Sequence, residues 1–200
     1  MSKKKSTSKQ QFLTPENYIR QKSKTLPIAE CLVNSDWDKN KMCQVVVIRK
    51  HITGYATACF YLVDLSLLGV KNTMFKFNAP IEEIKKILEK NAAPLIEISY
   101  ELAHNIIFAS VEYAQEYGFK PHRDFTSTTI HFLEEDNDNV PLIEITCGGT
   151  NGKPCYTNTG FDSPAREREI LAQLERTAGE GNYDFMLPGR DEMYYDDDEY

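Results

Sequence analysis

Glu97-Ile-Ser-Tyr-Glu-Leu-Ala-His-Asn-Ile-Ile-Phe-Ala-Ser-Val-Glu-Tyr-Ala-Gln-Glu-Tyr117, followed by Gly118-Phe-Lys-Pro-His122, carries a helical period, a stop and a cationic exit in one stretch. Ile98, Leu102, Ile106, Ala109 and Tyr113 fall on one stripe, with Ala103, Ile107, Val111 and Ala114 beside it. So wide an apolar arc predicts a helix buried on more than one side. Gly118 supplies the left-handed residue and Phe119 the apolar contact of a Schellman ending.

On either side of this rod the pattern changes from a period near 3.6 to one near 2. Gln44–Arg49 and Gly54–Val63 are rich in β-branched and aromatic residues, and the turn-like Lys50–Thr53 between them predicts an antiparallel hairpin. Asn72–Phe77 reads as a third strand with Thr73, Phe75 and Phe77 on one face. Thr128–Leu133, Leu142–Thr146 and Cys155–Asn158 continue the strand pattern, and Asn151-Gly152 signals a two-residue hairpin turn. Shorter helices are expected after Thr14-Pro15, over Pro80–Lys90, and from Asp162-Ser163-Pro164 to Gly179. The expectation is an α+β fold, one domain over residues 14–180 with a mainly antiparallel sheet packed against the long helix.

Charge is concentrated at the two ends. Residues 1–25 hold Lys3, Lys4, Lys5, Lys9, Arg20, Lys22 and Lys24 against Glu16, seven bases to one acid. Residues 180–200 hold eight acids against Arg190. Residues 1–13 and 181–200 are therefore read as disordered tails, basic and acidic. The net charge of −7 argues against a surface built throughout to hold nucleic acid. It leaves the basic end free to meet an anionic partner, or the two tails free to attract each other. Five cysteines without a Cys-x-x-Cys pair predict reduced thiols and no structural zinc. No apolar run is clean enough to span a bilayer, so a cytoplasmic protein is expected.

Catalytic signatures are sparse. Glu101-Leu-Ala-His104, with Glu97 one turn earlier, sets carboxylates and an imidazole on one helix face, but a carboxylate-bridged metal bundle requires a second such motif and further glutamates. No metal ligand set and no cofactor are assigned. Lys120, His122 and Arg123 complement the negative end of the long helix. Together with Asp64 and Lys71 from the Val63–Lys71 loop, that turn is a candidate pocket. The candidate pocket residues are thus Asp64, Lys71, Glu101, His104, Lys120 and His122. His131 alternates with Ile130 and Phe132 and is expected to face solvent or a helix edge. Trp37 is expected to anchor a loop.

Three strings, Thr14–Lys22, Tyr61–Leu65 with Leu68–Lys71, and Glu101–His104 through Gly118–His122, resemble an uncharacterised bacterial family associated with Bacteroidetes-type genomes. The likeness runs through most of the chain between the tails. It implies a cytoplasmic bacterial protein and carries no activity, cofactor or catalytic residue. That family has a cysteine where Ser66 stands here, which speaks against thiol chemistry at this loop.

The leading functional expectation is a non-enzymatic interaction module. Its basic N-terminal region, with Lys3, Lys4, Lys5, Lys9, Arg20, Lys22 and Lys24, would engage RNA, a ribonucleoprotein or an acidic protein. The rival is a small metal-dependent or acid/base hydrolase using Asp64, Glu101, His104 and His122. A third view makes the chain a subunit of an assembly, using Tyr194, Tyr195 and Tyr200 in the acidic tail as a binding segment.

Overall fold

A computed structural model describes residues 13–187 apart from 53, 91, 92 and 159. Lys3, Lys4, Lys5 and Lys9, and the acidic segment with Tyr194, Tyr195 and Tyr200, lie outside the described residues. The fold is α+β, a single compact domain around a five-stranded antiparallel sheet. In chain order it comprises α1 (Pro15–Lys22), β1 (Ile28–Asn34), α2 (Trp37–Asn40), β2 (Met42–Lys50), β3 (Tyr55–Asp64), β4 (Gly69–Pro80) and α3 (Ile81–Leu88). The second half adds β5 (Leu95–Ile98), α4 (Tyr100–Glu116), α5 (Arg123–Ser127), β6 (Cys155–Thr157), α6 (Pro164–Thr177) and β7 (Asp184–Met186). The sheet order is β4-β3-β2-β1-β5.

The Val45–Ile48 run feeds both faces of the sheet. Val45 and Val47 join Cys59, Tyr61 and Val63 against α4, while Val46 and Ile48 join Ala56 and Ala58 against Ile84 of α3. Burying each such Val or Ile stabilises the fold by about 1.5–3 kcal/mol. The hairpin is present with Val45 opposite Tyr61, and Thr73 and Phe75 share the α4 face.

α4 carries Ala103, Ile106 and Ile107 fully buried. It ends as the sequence predicts, with the Gly118 N–H donating to Gln115 O, the Phe119 N–H to Ala114 O, and Gly118 at φ +78°. Its start is later than predicted. Ser99 accepts the Leu102 N–H as N-cap, and Glu97 belongs to β5, opposite Leu32. Pairing with β1 holds Leu95–Ile98 extended, and the cap lets the helix begin only after Ser99.

The second half departs from the expected strands. Thr128–Leu133 is helical, α5 running into a 3-10 turn at Thr129–Phe132. Thr129 and Phe132 are buried three residues apart, and the Thr129 carbonyl accepts the Tyr61 hydroxyl at 3.0 Å. His131 is exposed in that turn. Leu142–Thr146 forms no strand. It runs beside α4, with Pro141 O accepting Asn105 Nδ2 at 3.0 Å, and Leu142 points outward. Asn151-Gly152 lies in a 3-10 turn with Asn151 at φ +57°, not in a hairpin. Its two flanks lean on one loop, Gly148 N donating to Leu65 O and Cys155 N to Ser66 O. β6 instead pairs in parallel with β7, so the body extends through residues 184–186, which charge pattern alone assigns to the acidic tail. Trp37 is half-buried against the α4-side core.

Candidate functional site

Three segments meet at one end of the molecule. The first is the loop between β3 and β4. Asp64, 4% exposed, turns it by accepting the Ser66 and Leu67 N–H groups on Oδ1 at 2.9 and 3.3 Å. Burial pushes the Asp64 carboxyl above its ordinary range, against the pull of the Lys71 charge and the loop N–H donors. The second is the turn after α4, stitched to β4 by the His122 N–H donating to Val70 O at 2.8 Å. The third is the start of α6, where Ser163 caps the helix by accepting the Arg166 N–H.

Between them lies a cavity of about 210 Å³ lined by Leu68, Val70, Lys71, Phe119, Lys120, His122, Asp162 and Arg166. Lys71, Lys120 and Arg166 bring three cations. The Asp124 N–H donates to His122 Nδ1 at 3.2 Å, which places the imidazole proton on Nε2 and leaves that N–H as a donor. The opposing carboxylate, Asp162, already accepts the Tyr156 hydroxyl at 3.0 Å. Among the described residues, neither Lys71 nor Lys120 has a carboxylate within salt-bridge distance. Arg166 pairs with Glu169 at 2.8 Å, an exposed contact of the kind worth under about 1 kcal/mol and readily exchanged for a bound anion. The positive end of α6 adds to the same potential. The arrangement suits a compact anion. Phe161, 94% exposed, stands next to Asp162 on the adjoining loop.

Of the candidate pocket residues, Lys71, Lys120 and His122 line this cavity, Lys71 from the start of β4, and Asp64 lies buried at the end of β3, where the loop leading to β4 begins. Glu101 and His104 do not join them. They sit in the opening turns of α4, roughly 18–22 Å along the axis from its other end at about 1.5 Å per residue. His104 is buried, with Nε2 donating to Glu134 O at 3.2 Å and its ring against Phe108 at 4.4 Å. Glu97, in a strand, is not one helical turn from Glu101. Among the described residues no group of three His, Cys, Asp or Glu side chains is placed to hold a metal. Asp64, Glu101, His104 and His122 are thus not brought together at one cavity.

Arg20 is engaged structurally. Its Nε donates to Ser127 O at 2.7 Å and its Nη2 to Thr128 Oγ1 at 3.3 Å, clamping α1 to the end of α5. Lys22 and Lys24 are exposed. Sequence reasoning missed Asp162 and Arg166. Their one signal was the helix start at Ser163-Pro164, and only the packing of α6 beside Phe119 brings them to the cavity.

A second hollow, on the sheet face that α3 only partly covers, is lined by residues such as Val46, Phe60, Leu62, Met74 and Ile87. Those side chains are apolar and present no charge to a ligand. Among the described residues no helix is long and apolar enough to cross a membrane. No family model, no curated protein and no solved structure matches the chain.

Proposed function

We propose that the protein is a non-enzymatic binding module for RNA. A phosphate group is received by Lys71, Lys120, Arg166 and the His122 Nε2–H, and the basic N-terminal region adds attraction at longer range. The observation that carries this reading is the meeting of three cations and an imidazole donor on one cavity whose single carboxylate is already hydrogen-bonded. RNA is favoured over an acidic protein by Phe161, an exposed ring on the residue before the cavity-lining Asp162, which is free to stack on a base. Lys22 and Lys24 contribute as exposed charges. Arg20 is assigned to holding α1, because its guanidinium is already engaged.

The reading is tested by titrating labelled single-stranded RNA against salt. Changing Lys71, Lys120 and Arg166 to Ala together should weaken binding at low salt and lower the slope of log K against log salt by about 0.7, the share of the one phosphate the cavity receives. Phe161→Ala should cost a further 1–3 kcal/mol, about the stacking of one base. Absence of binding at low salt, or a triple variant that binds as the parent does, would remove the proposal.

A further inference from the structure

The described residues end at Leu187, which packs against a cluster that shares two residues with this cavity. β7 runs parallel to β6, so the chain after Met186 heads the way Thr157 heads, toward the loop that carries Asp162. The junction is hydrogen-bonded. Asn158 N donates to Met186 O at 2.9 Å, Asn158 Nδ2 donates to Asp162 O at 3.2 Å, and Asn158 Oδ1 accepts the Asp162 N–H at 3.2 Å. Leu187 packs into the cluster formed by Leu68, Phe119, Tyr156, Ile170 and Leu174, and two of those residues, Leu68 and Phe119, also line the cavity.

The sequence beyond Leu187 is opposite in charge to the cavity. Residues 188–200 contain Asp191, Glu192, Asp196, Asp197, Asp198 and Glu199 against Arg190. Asp191 and Glu192 come four and five residues after Leu187, a reach of up to roughly 13–18 Å at about 3.3–3.6 Å per residue. A tether that short holds a segment near its target at an effective concentration on the order of millimolar. Weak carboxylate–ammonium contacts are then sufficient for occupancy at low salt, and they fade as salt screens them.

We infer that the acidic segment 191–199 is an intramolecular ligand of the Lys71–Lys120–His122–Arg166 cavity and competes there with the anionic partner. The inference rests on the reading of that cavity as an anion site. It gives the module a built-in competitor: a partner must displace the chain's own carboxylates, so weakly charged ligands are excluded and phosphate-rich ones admitted. It also gives the opposite charge of the two termini a use other than attraction between tails.

The test keeps the full chain and neutralises the segment (Asp191→Asn, Glu192→Gln, Asp196→Asn, Asp197→Asn, Asp198→Asn, Glu199→Gln). A synthetic peptide of residues 188–200 should bind this variant at low salt and bind the parent several-fold more weakly. Binding should vanish when Lys71→Ala, Lys120→Ala and Arg166→Ala are added. In parallel, the neutralised variant should bind single-stranded RNA several-fold more tightly than the parent, the gap closing as salt rises. The salt titration stands independently of the alanine variants. Peptide that fails to bind, or that binds equally without the three cavity cations, overturns the inference. Cavity-dependent peptide binding without RNA binding would remove the RNA reading and leave the intramolecular ligand standing. Cavity-dependent RNA binding with no peptide binding and no effect of neutralisation would do the reverse.

Discussion

Arg49 and Glu134, eighty-five residues apart, meet at 2.9 Å between Nη2 and Oε1. Arg49 is 3% exposed on β2, and its remaining donors go to backbone carbonyls, Nε to Phe132 O at 3.1 Å and Nη1 to Leu26 O at 2.7 Å. Its guanidinium also lies over the Phe132 ring at 5.4 Å. One side chain thus ties the sheet, the segment after α1 and the turn after α5. Arg49→Ala removes the donor of four acceptors, the Lys24, Leu26 and Phe132 carbonyls and the Glu134 carboxylate, and is expected to cost about 3–5 kcal/mol in urea unfolding, chiefly through the carbonyls left unsatisfied. Glu134, with its side chain 43% exposed, keeps access to water, so Glu134→Gln should cost about 1 kcal/mol or less. Equal losses would show that the ion pair, not the carbonyl contacts, is what matters.

Gly69 opens β4 at φ +66°, and a Cβ there would meet Ser110 O at 3.0 Å and the Ala114 Cβ at 3.1 Å. Left-handed backbone and crowding against α4 act together. Gly69→Ala should destabilise the protein by about 2–4 kcal/mol, measured as a shift in denaturation midpoint at unchanged slope. Because Gly69 leads into Lys71, weakened RNA binding should accompany the loss.

Burial holds the His104 imidazole below its ordinary value of 6.5, while its bond to Glu134 O works the other way. The unfolded chain takes up this proton near 6.5 and the folded chain only at lower pH. The stability tied to the neutral ring is therefore complete above 6.5 and lost as pH falls below it. His51 is lowered in the same sense by burial, so it adds to the slope. His104→Phe should flatten, without abolishing, the decline of thermal stability below pH 6.5.

The five thiols are free, and burial raises each of them, Cys31 and Cys43 to about 12 and Cys147 to about 11. Few thiolates exist at neutral pH. A thiol-specific disulfide reagent should therefore react slowly with the native protein, first at the half-buried Cys147 and Cys155, and fully with five only in denaturant. Fast stoichiometric reaction of one native thiol would contradict this.

Deleting residues 1–12 removes Lys3, Lys4, Lys5 and Lys9. RNA affinity at low salt should fall and the salt slope should drop by up to about 3, at roughly 0.7 for each of the four charges. An unchanged slope would restrict RNA contact to the cavity.

Local signals are legible wherever a residue acts on its immediate neighbours. Thr14-Pro15, Ser163-Pro164 and Gly118-Phe119 mark helix ends directly, because a cap or a left-handed residue is chosen within one turn of chain. The β2–β3 hairpin is readable for the same reason, as its partners adjoin in sequence. The α+β class comes from these elements. Thr129 and Phe132 mislead because an alternating string is also compatible with a 3-10 turn, and distant side chains, the Tyr61 hydroxyl on Thr129 O, Thr73 on the Thr129 hydroxyl and Arg49 on Phe132 O, hold the turn. Asn151-Gly152 favours a hairpin locally, but the Leu65–Ser66 carbonyls take the N–H groups of Gly148 and Cys155, and β7 takes the strand partner's place.

Sequence alone determined that a long apolar helix lies on a sheet, and that opposite charges stand at the two ends. Tertiary structure decided where charge is used. Lys71, Lys120, His122 and Arg166 come from three segments joined only by packing, Arg49 is drawn inside by carbonyls from distant turns, and Glu101 and His104 are left at the far end of the helix. Local propensity extends over one turn of chain, whereas a site depends on distances set by the whole core.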